Sequence, residues 1–199
     1  MDEYKKSQVE LGKRLIVSGS RVRKDGKYYG GPGILKRHNL VTHWLNKHCR
    51  KDEPLLEVGS CEGYLFDHLR DAGFKDIYGI DISPDAIEKL HSRGYKGEVL
   101  DIHESTIKEK YGTIITSHSL EHCHDPHLAL SKMHDALKKG GRILVVVPCQ
   151  KKPKVIPNPH GHWSFFESFE NLLSYFPKDK WKLIWDNRPK THAILEKIS

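Results

Sequence analysis

The stretch from Leu55 to Leu65 constrains the fold of this chain more than any other segment. It reads LLEVGSCEGYL, an apolar run that ends at an acidic residue and then enters a turn containing Gly59 and Gly63. A strand that passes through such a turn into a helix places backbone amides and the positive end of the helix beside a bound ligand. The pattern therefore predicts a strand-to-helix crossing that binds a nucleotide-type cofactor.

A second acidic residue supports this interpretation. Asp81 ends the next apolar run and follows Gly63 by 18 residues. In a βαβ unit this spacing brings the carboxylate to a ligand on the first turn, where it can accept hydrogen bonds from both hydroxyls of a ribose. We therefore expect the cofactor to contain a ribose.

The glycine spacing argues against a dinucleotide. Recognition of a pyrophosphate favours G-x-G-x-x-G, whereas Ser60, Cys61 and Glu62 separate the two glycines here. Glu62 would also place a negative charge close to the phosphates. A cofactor without phosphates fits better, and S-adenosylmethionine offers adenine, ribose and a sulfonium cation.

At these residues the chain resembles the class I S-adenosylmethionine-dependent methyltransferases, whose first motif is an acidic residue, one residue, Gly, three residues and Gly. Later segments extend the resemblance in the order that this family shows: GEVLDI at 97–102, HSLEHCHDP at 118–126, KKGGRILVVVP at 138–148 and HGHWSFF at 160–166. The segment at 118–126 is similar to the branch that includes ubiquinone-type O-methyltransferases. The resemblance covers about residues 53–198.

Strand-like and helix-like segments alternate after Leu55. Ser83-Pro84 and Asp125-Pro126 each offer a helix cap followed by a proline in the first turn. Strands separated by helices argue for an α/β fold with a doubly wound parallel sheet. The resemblance implies a Rossmann-like, mostly parallel sheet of seven strands with an antiparallel hairpin at its C-terminal edge. Residues 1–34 are predicted to form a basic N-terminal arm or lid, and residues 35–199 the methyltransferase domain.

Composition narrows the class of protein. The chain has 199 residues, no apolar stretch of the length a membrane helix needs, and no signal-peptide pattern at its start, so we expect a cytoplasmic protein without membrane contacts. Its four cysteines form no C-x-x-C pair. The net charge of +7 permits an anionic partner such as RNA, but the positive charges are spread along the chain, which favours a solvated surface.

The resemblance also implies roles at the cofactor. Glu57 would lie near the ammonium group of the ligand or the loop amides, and Asp101 would face the adenine amino group. The predicted cofactor-binding residues are Glu57, Gly59, Ser60, Gly63, Asp81, Ile82, Asp101, Ile102 and Ser117.

Methyl transfer is an in-line displacement at carbon, so the protein must align donor and acceptor, and it must help to remove a proton from a hydroxyl acceptor. Histidine has a suitable pKa, and strand ends at the crevice favour His118 and the pair Glu121-His122 over His160. The predicted catalytic residues are His118, Glu121, His122 and His162. The favoured function is methylation of a hydroxyl on a small molecule.

Two alternatives stay open. In metal-dependent 2'-O-methyltransferases of small RNAs, an E-x-x-E-H segment helps to hold a divalent ion, and here His118 replaces the first acidic residue. We favour a site without a metal, and a metal-assisted RNA 2'-O-methyltransferase is the alternative. The third reading is a protein that binds the cofactor or nucleic acid without turnover.

Overall fold

The computed structural model describes residues 2–18, 32–158 and 160–199. Helices and strands alternate through most of these residues. The helices are α1 Glu3–Ser18, α2 Pro32–His48, α3 Tyr64–Asp71, α4 Pro84–Ser92, α5 Pro126–Ala136 and α6 Phe169–Leu173. The strands are β1 Leu55–Val58, β2 Ile77–Asp81, β3 Lys96–Val99, β4 Tyr111–Ser117, β5 Leu137–Val146, β6 Trp181–Asp186 and β7 His192–Lys197. None of the helices in the described ranges combines the length and the apolar character needed to cross a membrane.

The chain comprises two compact units, and the first ends at Leu100. In this unit β1 and β2 pair in parallel, with Leu55 opposite Ile77, and β2 pairs in parallel with β3. Apolar side chains of β1 and of the following helices are fully buried, since the parallel strands are covered by helices. The largest of them are Leu55, Leu56, Phe66, Leu69 and Leu90.

The second unit begins at Asp101. Strands β4 and β5 pair in parallel, and β5 pairs antiparallel with β7, which in turn pairs antiparallel with β6. The register of β4 against β5 shifts between Tyr111 and Thr113, where Gly140 adopts a positive φ of 74°. This irregularity lies in the KKGG segment and lets β5 continue directly from α5.

The predicted fold class is confirmed. The seven strands form one mixed sheet in the order β3-β2-β1-β4-β5-β7-β6, with a parallel part and an antiparallel C-terminal pair. The predicted helix starts are also found. The Ser83 side chain accepts a hydrogen bond from the backbone of Ala86, and the Asp125 side chain accepts one from Leu128, with a proline in the first turn of both helices.

Part of the N-terminal segment is helical. Residues Glu3–Ser18 form α1, whose first turn is capped by the Asp2 carboxylate accepting from the Lys5 backbone amide at 2.8 Å. Helix α1 contacts α4 within the first unit. Residues 19–31, which make up most of the rest of the predicted arm, lie outside the described residues. The division into an arm and a domain at residue 34 stays a prediction.

Candidate functional site

The turn between β1 and α3, residues 59–63, carries the predicted cofactor motif, and we call it the donor turn. Gly59 and Gly63 have φ values of 74° and 71°, and Cys61 between them has a φ of 50°. Left-handed conformations of this kind favour glycine. A Cβ atom on Gly63 would also lie 2.9 Å from the Leu90 side chain. Both predicted glycines are therefore required by the backbone of the turn.

The Asp81 carboxylate, at the end of β2, is hydrogen-bonded to the donor turn. One carboxylate oxygen accepts a hydrogen bond from the Cys61 backbone amide at 2.8 Å, and the other accepts from the Ser83 amide at 2.9 Å. The spacing of 18 residues thus brings the carboxylate to the first turn, as predicted.

Ser60 and Ile82 flank this arrangement. The Ser60 side chain is buried and packs against Gly79 of β2, where a Cβ would lie 2.5 Å from the hydroxyl oxygen. Its backbone amide donates to Ile80. Ser60 thus stabilises the turn through its packing, and Ile82, half-buried, follows β2 directly.

Glu57 is a buried acid just before the donor turn. Its Oε2 atom makes no hydrogen bond with any described residue. Burial raises the pKa of the Glu57 carboxyl to about 8, opposed by the positive charge of Arg37 and reinforced by the negative charge of Asp81. A bound cation would oppose this shift, because it would stabilise the carboxylate.

In the second unit, Asp101 and Ile102 form the start of the loop that follows β3. An Asp101 carboxylate oxygen accepts from the His103 backbone amide at 2.9 Å and lies 3.2 Å from Nδ1 of the same ring. The His103 ring also stacks near His124, with ring centroids 4.0 Å apart. Burial is the main cause that lowers the pKa of His103. Asp101 therefore organises its own loop, and Ile102 is buried.

The carboxyl end of β4 carries a strained histidine. Ser117 is the last residue of β4, and His118 has a positive φ of 56°, a conformation that side-chain-bearing residues rarely adopt. The His118 backbone amide donates to Val146 at 2.8 Å, which fixes this geometry. A strained backbone persists only where the surrounding structure enforces it, and such residues are concentrated at functional sites.

Three predicted catalytic residues meet in what we call the Glu–His cluster, Glu121, His122 and His162. One potential metal-binding atom from each lies within 4.8 Å of those of the other two. Glu121 is almost fully buried, and neither of its carboxylate oxygens forms a hydrogen bond within the described residues. His118 adjoins the cluster, since its Nδ1 lies 3.3 Å from Oε1 of Glu121. The Glu121 carboxylate can only accept, and each uncharged imidazole offers one acceptor nitrogen, so the cluster is rich in acceptors.

The two imidazoles of the cluster are held from the backbone side. His122 Nδ1 lies 3.1 Å from the Gly161 carbonyl oxygen, and His162 Nδ1 lies 2.8 Å from Oε1 of Gln150. Burial, followed by the neighbouring His122, lowers the pKa of His162 to about 4, so this ring is uncharged at neutral pH. His160 is exposed, and its ring centroid lies 5.9 Å from that of His162.

Sequence reasoning overlooked Arg37 and Gln150. Arg37 lies on α2, before the first recognised motif, and its charge acts on Glu57. Gln150 is twelve residues from His162, and no spacing rule connects an amide with a histidine at that distance. Only the tertiary structure brings Arg37 close to Glu57 and Gln150 close to His162.

Comparison with known proteins agrees with this architecture. A family model described as a methyltransferase domain matches residues 35–188. No curated protein sequence matches the chain.

Solved structures share the fold at low sequence identity. The complex of DhpI with SAH superposes with a TM-score of 0.73 at 17% identity, covering 98% of this chain and 97% of that one. The N-methyltransferase NodS of Bradyrhizobium japonicum in complex with S-adenosyl-L-homocysteine gives a TM-score of 0.67 at 16% identity, covering 97% and 99%. Magnesium protoporphyrin IX methyltransferase (ChlM) from Synechocystis PCC 6803 with bound SAH gives 0.64 at 17% identity, covering 96% and 94%. Because the family model spans well over half of its residues, the chain belongs to the methyltransferase domain family.

Proposed function

We propose that this protein transfers the methyl group of S-adenosylmethionine to a hydroxyl of a small molecule, as in the ubiquinone-type O-methyltransferases that it resembles. The observation that carries the acceptor side is the buried, acceptor-rich Glu–His cluster beside His118. Such a cluster suits a molecule that presents hydroxyl hydrogens, because a hydroxyl can donate to the Glu121 carboxylate, whose buried oxygens form no hydrogen bond within the described residues.

The donor side rests on the first unit. Three structural neighbours hold S-adenosylhomocysteine, the product left when the cofactor gives up its methyl group. In the donor turn Cys61 stands where a dinucleotide site has the second glycine, which lets the backbone approach a pyrophosphate, and the buried Glu57 suits a cationic group. Asp81 would accept from the ribose hydroxyls, and Asp101 would face the adenine.

His118 is the proposed general base. Its imidazole lies 3.3 Å from the buried Glu121 carboxylate, which would orient the ring and stabilise its charge once it is protonated. In the reaction the acceptor oxygen forms a bond to the methyl carbon while the bond from carbon to sulfur breaks. The electron pair of that bond returns to sulfur, and the hydroxyl proton passes to His118. General base catalysis of this kind contributes about 10²–10⁴-fold in rate.

The test is methyl transfer from tritiated S-adenosylmethionine into a metabolite extract, with mass spectrometry of the labelled product. We expect an O-methylated small molecule, and a rate about 10²–10⁴-fold lower for His118→Asn. His43→Asn is the matched control, because His43 is exposed on α2. A product methylated at nitrogen or carbon would contradict the proposed acceptor. Binding of the cofactor without transfer to any pool would indicate a protein without turnover.

A second candidate function is metal-assisted methylation of an RNA 2'-hydroxyl. It is favoured by the proximity of one ligand atom each from Glu121, His122 and His162, a set of carboxylate and imidazole that suits a divalent ion. Such an ion would polarise the hydroxyl and lower its pKa. The net charge of +7 would favour a polyanionic acceptor. Transfer that is abolished by a chelator, with label found in RNA, would support this candidate over the first.

A further inference from the structure

Gln150 makes a contact that no catalytic motif accounts for. It follows the end of β5 by four residues and is half-buried. Its side-chain oxygen Oε1 lies 2.8 Å from Nδ1 of His162. The Gln150 backbone amide donates to the Phe166 carbonyl at 3.0 Å, next to a bridge between Cys149 and Phe166. The backbone that carries the Gln150 side chain is therefore held in place by Phe166.

The chemistry of this contact selects one form of the His162 ring. An amide oxygen can only accept a hydrogen bond, so Nδ1 must carry the proton of the uncharged imidazole. Nε2 is then left as an unprotonated acceptor. An imidazole without such a partner favours the opposite form, with its proton on Nε2, so the Gln150 oxygen works against the intrinsic preference of the ring.

The backbone around His162 is fixed by a second residue. The Asn158 side-chain oxygen accepts from the backbone amides of His160 and His162, both at 3.0 Å. Asn158 thus holds the peptide of His162, whereas Gln150 holds its ring. His122 shows the same arrangement in a different form, because its Nδ1 faces the Gly161 carbonyl oxygen, which also can only accept.

We propose that Gln150 is a positioning residue that keeps His162 in the Nδ1-protonated form, so that Nε2 accepts a hydrogen bond from the methyl acceptor. This inference rests on the proposed transfer to a hydroxyl-bearing molecule. It adds a rule for the acceptor, which must present a hydroxyl or another hydrogen-bond donor to His162. A molecule that offers only an ether or carbonyl oxygen at this point would leave two acceptors facing each other without a hydrogen bond.

Nitrogen-15 NMR of the histidine-labelled full chain reads the form of the ring directly. Two-bond correlations between ring nitrogens and ring carbon-bound protons at neutral pH distinguish the two forms, and His162→Gln identifies the His162 signals. We expect the Nδ1-protonated form in the wild type and a shift towards the Nε2-protonated form in Gln150→Ala. Gln150→Glu keeps an acceptor oxygen and should restore the wild-type form. Lys151→Ala, at the exposed neighbouring position, should leave the ring unchanged. An Nε2-protonated ring in the wild type, or an unchanged ring in Gln150→Ala, would overturn the proposal.

Transfer kinetics test whether the ring form matters for the reaction. With the metabolite extract that the wild type labels, Gln150→Ala should lower the transfer rate on the order of 10–100-fold, and Gln150→Glu should recover most of it. Cofactor affinity, measured by calorimetry, should stay the same in both variants. A wild-type rate in Gln150→Ala would overturn the positioning role. If the wild type labels no molecule in the extract, the proposed function fails, while the NMR experiment still decides the role of Gln150 in holding the ring.

Discussion

At the scale of single residues, Glu57 is the group whose chemistry depends most on its surroundings. Its place before Gly59 is readable from the sequence, because the motif of an acidic residue and two glycines is local. Its raised pKa is not, since that shift arises from complete burial, which the charge of Arg37 opposes and the charge of Asp81 reinforces. The pairing of Gln150 with His162 escapes the sequence for the same reason. Motif residues can be predicted at this scale, and their protonation states cannot.

Binding of S-adenosylmethionine should release a proton from Glu57. Without the cofactor the pKa of Glu57 is about 8, so its carboxyl is mostly protonated at pH 7. A cation beside the carboxyl would lower that pKa. Calorimetry in buffers of different ionisation enthalpy should therefore show release of close to one proton per cofactor at pH 7. Glu57→Gln should abolish the dependence on buffer. Equal proton release by the wild type and this variant would assign the proton to another group.

At the scale of elements, helix caps and strand starts were predictable because their signals are local. Asp2 belongs to the same class, since its carboxylate caps α1. The irregular pairing of β5 with β4 was not predictable, because it depends on register between segments distant in sequence. The hydrogen bonds that join the donor turn and α3 to the connection between α4 and β3 are equally non-local. Arg93 donates to the Glu62 carbonyl and to the Asp67 carboxylate, the latter at 2.7 Å, and the Tyr95 hydroxyl also donates to Asp67.

Loss of the Asp67 charge should weaken the interactions with Arg93 and Tyr95 and lower the stability of the protein. Asp67 is buried on α3, and Arg93 lies in the connection from α4 to β3, so the ion pair joins three elements of the first unit. We expect Asp67→Asn to lower the free energy of unfolding by about 2–3 kcal/mol, because a buried charged partner is left incompletely paired. Urea denaturation measures this change. Glu88→Gln is the control, since Glu88 is exposed on α4 and should change stability by less than about 0.5 kcal/mol. Equal effects of the two substitutions would show that the ion pair between Asp67 and Arg93 does not stabilise the protein.

At the scale of the whole molecule, the parallel sheet followed from the alternation of elements, and the antiparallel C-terminal pair followed from the family resemblance. The acceptor did not follow, because methyltransferases of one fold act on unrelated molecules through differences in loops and added segments. What the whole molecule does make predictable is its response to pH. Burial lowers the pKa of some histidines and raises the pKa of Glu57, and the two shifts change stability in opposite directions as the pH changes.

Stability should pass through a maximum near pH 6.5. Burial lowers the pKa of His38 to about 3 and that of His192 to about 4, below the unfolded value of 6.5, so the unfolded chain binds more protons as the pH falls below 6.5 and stability declines. Glu57 acts in the other direction. Its folded pKa of about 8 exceeds the unfolded 4.5, so the folded chain binds more protons in that window and stability declines as the pH rises towards 8.

Urea denaturation at pH 5, 6.5 and 8.5 tests this profile. From pH 6.5 to 8.5 the wild type should lose about 1 kcal/mol of unfolding free energy, because the loss at Glu57 exceeds what the histidines still gain, and Glu57→Gln should lose none. The acidic decline should persist in Glu57→Gln, since it arises from the histidines. A profile that rises steadily up to pH 8.5 in the wild type would show that Glu57 does not have the raised pKa.

The central claim is that the donor turn and Asp81 form a phosphate-free adenosyl site, and calorimetric titration with S-adenosylmethionine tests it most directly. The wild type should bind the sulfonium cofactor in the micromolar range and should not bind NAD⁺. Asp81→Ala and Asp81→Asn should weaken binding by about tenfold or more, equivalent to about 1.4 kcal/mol, while Asp76→Ala, at an exposed position just before β2, should bind like the wild type. Absence of binding by the wild type, or full affinity after removal of the Asp81 carboxylate, would contradict the account.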